Sequence, residues 1–338
     1  MNANERYYRK TMQAIGCTML IFLLILNVFS VLYLGFTLLL EMLGVSQVTG
    51  TVLMQLFYGA GYLMSFMLPV LFLRWMLKMK DVVCRPMYFA PRLNRHLPLI
   101  LMAGIAIVFA MASVNASIMN IFSYSEFSED ILWGTSSTPP ATYELILQFI
   151  VMCLVPGVCE EFLFRGAILT NCLPFGRTNA ILISSLLFSL MHQNGEQILY
   201  AFAAGVVLGI VYERTGSIWC CTVLHVMNNF ASVAEGTLIT RLYESGWSDF
   251  AAVLFESVVL MLGIVSTCIL VVRFFSKKVT LEDGFFGRSV PASDSYATHP
   301  ISAKRAAKLF LTPSMLLFLI FCAVQILLLI LLAVLYVG

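Results

Sequence analysis

The chain has 338 residues, of which 60% are apolar and 11% charged, and its formal net charge is +2. Soluble domains carry about 25% charged residues, so this composition, with a mean hydropathy of +0.91, excludes a soluble globular protein and points to a multi-pass integral membrane protein. No basic stripe interleaved with aromatics offers a nucleic-acid surface.

Apolar runs of about 20 residues, enough to cross a ~30 Å hydrocarbon core, fall near 13–40, 51–73, 97–122, 143–164, 178–193, 197–213, 217–234, 250–274 and 311–337. They predict an all-α polytopic transmembrane helix bundle of about nine spans, an eight-helix core plus one. The first run, Ile15 to Leu40, exceeds the roughly 7–15 residues of a signal-peptide core and lacks a small-residue cleavage site. It reads as a retained span. Nine cysteines occur without CxxC or Cys/His zinc spacing, and they read as packing residues.

The loops orient the chain. Arg6, Arg9 and Lys10, then Arg74, Lys78, Lys80, Arg85, Arg92 and Arg95, then Arg177, Arg214, and finally Arg273, Lys277, Lys278, Arg288, Lys304, Arg305 and Lys308 collect on one side. Glu41, Glu126, Glu129, Asp130, Glu196, Glu235, Glu244 and Asp249 occupy the other, with Arg241 their only base. The positive-inside rule places the N-terminus in the cytoplasm and the C-terminus outside. Residues 275–310, with Gly284, Gly287, Pro291 and Pro300, read as a cytoplasmic loop without fixed structure. The chain divides into N-terminal helices (1–139), a central set carrying the polar motifs (140–235), and a C-terminal part (236–338) containing that loop.

Inside lipid-like sequence sit Glu160, Glu161 and Arg165. An ionisable group at mid-bilayer costs roughly 3 kcal/mol or more. Glu161 and Arg165, at i and i+4 on a helix, can neutralise each other, which leaves Glu160 to explain. His192 closes a second apolar run, four residues after Phe188. His225 and Asn229 share one face of a third.

An antiparallel hairpin turning near Phe175 would bring Glu160 (15 residues back) and His192 (17 residues forward) to a similar height, roughly 22–26 Å from the turn. His225 and Asn229 would lie about 13–20 Å beyond Gly216. The GxxxG at Gly205 and Gly209 favours close helix approach. In one cavity, Glu160 could act as general base with His192 orienting the water. His225 and Asn229 could donate to an oxyanion. No HExxH helix or GxSxG elbow is present. Hydrogen-bonding glue between helices, or a proton relay in a transporter, would use the same residues.

Glu160-Glu161-Phe162-Leu163-Phe164-Arg165 matches an EExxxR motif, Phe188…His192 an FxxxH and His225…Asn229 an HxxxN. In this order they resemble the CPBP family of CAAX proteases and bacteriocin-processing (Abi) enzymes, which includes the type II CAAX prenyl endopeptidase. The resemblance covers roughly residues 140–235. It implies a glutamate-dependent intramembrane endopeptidase acting on a hydrophobic or lipidated peptide. Glu160 and His192 would activate water, His225 and Asn229 would form the oxyanion hole, and Glu161, Arg165 and Phe188 would support them. No cofactor is implied; a zinc-dependent variant would use Glu160, His192 and His225. The alternative is a non-catalytic scaffold or bacteriocin-immunity protein of the same fold. Membrane lipid is an expected partner. The compact loops favour a bacterial plasma membrane, or the endoplasmic reticulum in a eukaryote.

Overall fold

Within a bilayer every backbone N–H and C=O must find its partner inside the segment, which leaves helices and closed barrels. The computed structural model describes residues 1–78, 97–122, 141–242, 246–275, 299 and 301–337, and among them no strand occurs. The helices are α1 (Ala3–Met42), α2 (Gln47–Leu77), α3 (Leu97–Asn120), α4 (Thr142–Phe175), α5 (Arg177–Leu190), α6 (Ile198–Thr215), α7 (Ile218–Leu242), α8 (Ser248–Phe275), α9 (Ala303–Phe310) and α10 (Pro313–Val337).

Each of the nine apolar runs thus forms a helix. Seven, namely α1, α2, α3, α4, α6, α8 and α10, are long and apolar enough to cross a membrane. The protein is a polytopic helical membrane bundle. The other two differ for separate reasons. At 14 residues, α5 spans only about 21 Å. With 25 residues α7 is long enough, but Thr222, His225, Asn228, Asn229, Ser232 and Glu235 dilute its hydropathy.

Two boundaries correct the sequence reading. The run expected over 178–193 stops being helical at Leu190, so His192 lies in the turn beyond α5. Gln193, at φ 53°, ends the helix in the left-handed region. In the expected loop 275–310, Ala303–Phe310 is a helix, because Ala306 and Leu309 pack onto the core while Lys304 and Lys308 stay exposed. The part expected at 276–298 lies outside the described residues, as do the loop charges Lys80, Arg85, Arg92, Arg95, Glu126, Glu129, Asp130, Glu244, Lys277, Lys278 and Arg288, together with Cys84. The eight described cysteines are free thiols, six of them buried.

A single large core runs from Tyr8 and Met12 in α1 through Phe66, Phe164, Phe188 and Leu224 to Phe318 and Cys322 in α10. α1 packs on α2 and α10, α3 on α6 and α8, α5 on α6, and α7 on α4. Glycines set the closest approaches. A Cβ on Gly205 would stand 2.8 Å from Ser185 Cα, and one on Gly209 3.1 Å from Ile181. The GxxxG is therefore the α5–α6 contact. At Gly157 a Cβ would meet Val226 at 2.5 Å, which brings α4 against α7 beside the carboxylates.

Candidate active site

The site is organised by α4, whose helix is irregular. Turns of π-helix at Phe149–Leu154 and Phe162–Leu169 flank the α-helical Val155–Glu161. Such bulges re-aim side chains and frequently accompany functional sites. Pro156 has no N–H to give the carbonyl four residues earlier. That carbonyl, on Met152, accepts from Asn229 Nδ2 at 3.2 Å. A proline inside α4 thus provides a docking point for the motif asparagine of α7. In the second irregular stretch, Thr170 Oγ1 donates to the Arg165 carbonyl at 2.8 Å and Ser184 Oγ to that of Phe164 at 3.0 Å.

Glu160 and Glu161 point to different places. Glu161 is fully buried, and its Oε1 accepts from Arg165 NH1 at 2.9 Å and from His225 Nδ1 at 2.8 Å. Arg165 is also fully buried. It donates through NH2 to the Gly205 carbonyl at 3.1 Å and lies 4.6 Å above the Phe188 ring. The i,i+4 pair expected from sequence is therefore present, and Phe188 supports it by stacking. The phenol of Tyr62, from α2, donates to Glu160 Oε1. Glu160 Oε2 has no hydrogen-bond partner and lies 3.8 Å from His225 Nε2, too far for a direct bond.

Glu160, His192, His225 and Asn229 line one cavity of about 430 Å³. His192 Nδ1 is held by the Phe188 carbonyl at 2.9 Å. Asn229 is joined by Asn228, whose Nδ2 lies 3.5 Å from its Oδ1. Much of the remaining wall is apolar, with Phe22, Phe66, Ile105, Val108 and Leu224 among its residues. The structure thus brings the four candidate residues together and sets Glu161 and Arg165 behind them.

Several contributors escaped the sequence reading. Tyr58, Tyr62 and Tyr200 line the cavity; Tyr58 and Tyr62, one turn apart in an otherwise apolar span, were the available signal. Asn115 of α3 was a lone buried amide with no motif around it. Its Nδ2 donates to the Gly195 carbonyl and its Oδ1 accepts from Leu199 N–H, both at 3.0 Å. It thereby fastens the connection that follows His192. Among the described residues no set of three His, Cys, Asp or Glu side chains is placed to hold a metal ion.

Fold and site define a multi-pass helical membrane protein with a buried carboxylate–imidazole cluster facing a cavity. Residues 142–231 match the family model described as type II CAAX prenyl endopeptidase Rce1-like. The chain is also 31% identical over 120 residues to "Putative membrane peptidase YdiL" of Bacillus subtilis (strain 168), a match covering 35% of this chain. It spans about half of that relative, 46% of its length. No solved structure matches the chain.

Proposed function

We propose that the protein is a glutamate-dependent intramembrane endopeptidase that hydrolyses a peptide bond in a membrane-associated or lipidated peptide. The observation that carries this reading is Glu160 Oε2, buried, without a protein hydrogen bond and lining the cavity shared by His192, His225 and Asn229. Glu161 Oε2 is also without a partner, but Glu161 does not line the cavity, so of the two carboxylates it is Glu160 whose unsatisfied oxygen adjoins the space that water and substrate would occupy.

In the proposed reaction a water held between Glu160 Oε2 and His192 attacks the scissile carbonyl carbon as Glu160 takes its proton. The carbonyl π electrons move onto oxygen. The resulting oxyanion accepts from His225 Nε2–H and from the second N–H of Asn229 Nδ2. On collapse the C–N bond breaks, and Glu160 returns its proton to the leaving amine. With Nδ1–H given to Glu161, His225 can donate through Nε2 only as an imidazolium. In that state Glu160, Glu161, Arg165 and His225 sum to zero charge, which is how four ionisable groups can share so small a buried volume.

Purified protein in proteoliposomes should cleave hydrophobic or lipidated peptides, with products read by mass spectrometry. Glu160→Gln and His192→Ala should each lower the rate about 100-fold or more while the protein remains folded. Undiminished cleavage by Glu160→Gln would overturn the reading.

A further inference from the structure

On α1 and α9, at one end of the bundle, five cations have no carboxylate partner among the described residues. Arg6, Arg9 and Lys10 are exposed on α1, and Lys304 and Lys308 on α9. On each helix they fall at i, i+3 or i+4, so each set forms one stripe. The opposite faces are used for packing, through Tyr8, Met12 and Ile15 on α1 and through Ala306 and Leu309 on α9.

The two helices that carry the stripes are held side by side. Arg305 grips Glu5 with Nε at 2.6 Å and NH2 at 3.0 Å, and α9 packs along α1. Glu5 is the sole acid in the first forty residues. Once Arg305 has taken it, nothing nearby on α1 can cancel Arg6, Arg9 or Lys10. Upstream of α9 the chain is pinned to the α4–α5 turn, with His299 N–H on the Pro174 carbonyl at 3.1 Å and Asn179 Nδ2 on the Ile301 carbonyl at 3.4 Å.

Depth identifies the partner. Lys10 precedes the apolar run of α1 by less than two turns, and Lys308 stands five residues before Pro313 opens α10. At ~1.5 Å per residue both lie within about 10 Å of the end of a membrane-crossing stretch. That is the headgroup zone, where flexible basic side chains reach lipid phosphates. A soluble acidic protein would require no such depth. We propose that the paired stripes of α1 and α9 form a docking surface for anionic phospholipid headgroups, independent of the cavity and of whatever reaction it performs.

The test uses the full chain purified in neutral detergent and offered equal amounts of phosphatidylglycerol and phosphatidylcholine, with bound lipid counted by native mass spectrometry. Wild type should retain phosphatidylglycerol about tenfold over phosphatidylcholine. Substituting all five cations by glutamine should bring the ratio close to one. Lys304→Gln/Lys308→Gln, which alters only exposed side chains, should lower it even if the fivefold variant does not fold, and Lys304→Arg/Lys308→Arg should keep it. Equal retention of the two lipids by wild type would overturn the proposal and leave an acidic protein as the occupant to seek. Full competition by inorganic phosphate would overturn the lipid as the source. Neither readout depends on proteolysis, so it stands or falls separately from the proposed function.

Discussion

Tyr62 of α2 donates its hydroxyl to Oε1 of Glu160 in α4, a contact between residues 98 positions apart and on either side of the start of the Rce1-like segment at 142. One carboxylate oxygen is thereby tied to a neighbouring helix while the other is left to the cavity. Tyr62 acts as a positioning residue in the proposed reaction. A hydrogen bond to a charged group contributes about 1.5–3 kcal/mol, and about 1.4 kcal/mol is a tenfold change in rate. Tyr62→Phe should therefore lower kcat about 10- to 100-fold with KM little changed, as measured by peptide cleavage in proteoliposomes. A proportional rise in KM at constant kcat would assign Tyr62 to substrate binding instead.

The pair behind the cavity predicts a stability effect separable from catalysis. Removing one partner of a buried ion pair strands the other and costs about 3–5 kcal/mol. Arg165→Met should destabilise by that order, because it leaves Glu161 facing His225 alone and frees the Gly205 carbonyl. Glu161→Gln/Arg165→Met should recover a large part of the loss, since Glu161 then no longer carries a stranded charge. Thermal unfolding in detergent reads both. A double variant as unstable as the single one would show that packing over Phe188, rather than charge, is the dominant contribution of Arg165.

The central cluster was legible in the sequence because lipid-like surroundings make each polar residue conspicuous. Glu160, Glu161 and Arg165 interrupt an apolar run, and His225 with Asn229 interrupt another. The nine apolar helices followed from the same contrast. What the sequence did not show were features set by tertiary contact: the π turns of α4, the early end of α5 before His192, and the helix at Ala303–Phe310. An eight-residue helix with two buried apolar side chains carries too little periodic signal to stand out from a loop. Tyr62 and Asn115 were invisible for a different reason. Their partners lie 98 and 80 or more residues away, and a lone tyrosine or asparagine in an apolar helix does not name its partner.

The oxyanion role assigned to His225 requires protons on both ring nitrogens. Glu161 accepts from Nδ1 at 2.8 Å and the unpartnered oxygen of Glu160 lies 3.8 Å from Nε2, so a carboxylate stands beside each ring nitrogen. Nitrogen-15 spectra of histidine-labelled protein, assigned with His225→Gln, should show two protonated nitrogens. Glu161→Gln keeps an acceptor for Nδ1 but removes the charge, and should convert His225 to the neutral form. A neutral ring in wild type would remove His225 as an oxyanion donor and leave Asn229 in that role.

Close packing of α5 on α6 predicts sensitivity at Gly205. A Cβ there would stand 2.8 Å from Ser185 Cα and 2.9 Å from its Cβ, so the backbone of α5 must move and not merely a flexible side chain. Overpacking of this kind costs about 1–3 kcal/mol. Gly205→Ala should lower the unfolding temperature and also disturb the bond from Arg165 NH2 to the Gly205 carbonyl. By contrast Gly236, where a Cβ meets nothing within 4 Å, should accept alanine without loss and gain slightly from its higher helix propensity. Equal tolerance at the two positions would mean that α5 and α6 do not approach as closely as described.

Asn115 supplies the last prediction, and it concerns a loop and not a charge. Both ends of its carboxamide are used, one on the Gly195 carbonyl and one on Leu199 N–H at the start of α6. The first N–H groups of a helix lack partners within it, so α3 caps α6 from outside and fixes the connection running back to His192. Asn115→Leu would preserve bulk while stranding a buried donor and acceptor, at a cost of about 1–3 kcal/mol for each group left unsatisfied. Hydrogen exchange should accelerate over residues 191–199 more than in α5 or the body of α6. Asn115→Asp, which can still accept from Leu199 but cannot donate to Gly195, should fall between wild type and Asn115→Leu. If exchange rose evenly across α3, α5 and α6, Asn115 would be a general core residue, not the clamp on the histidine-bearing turn.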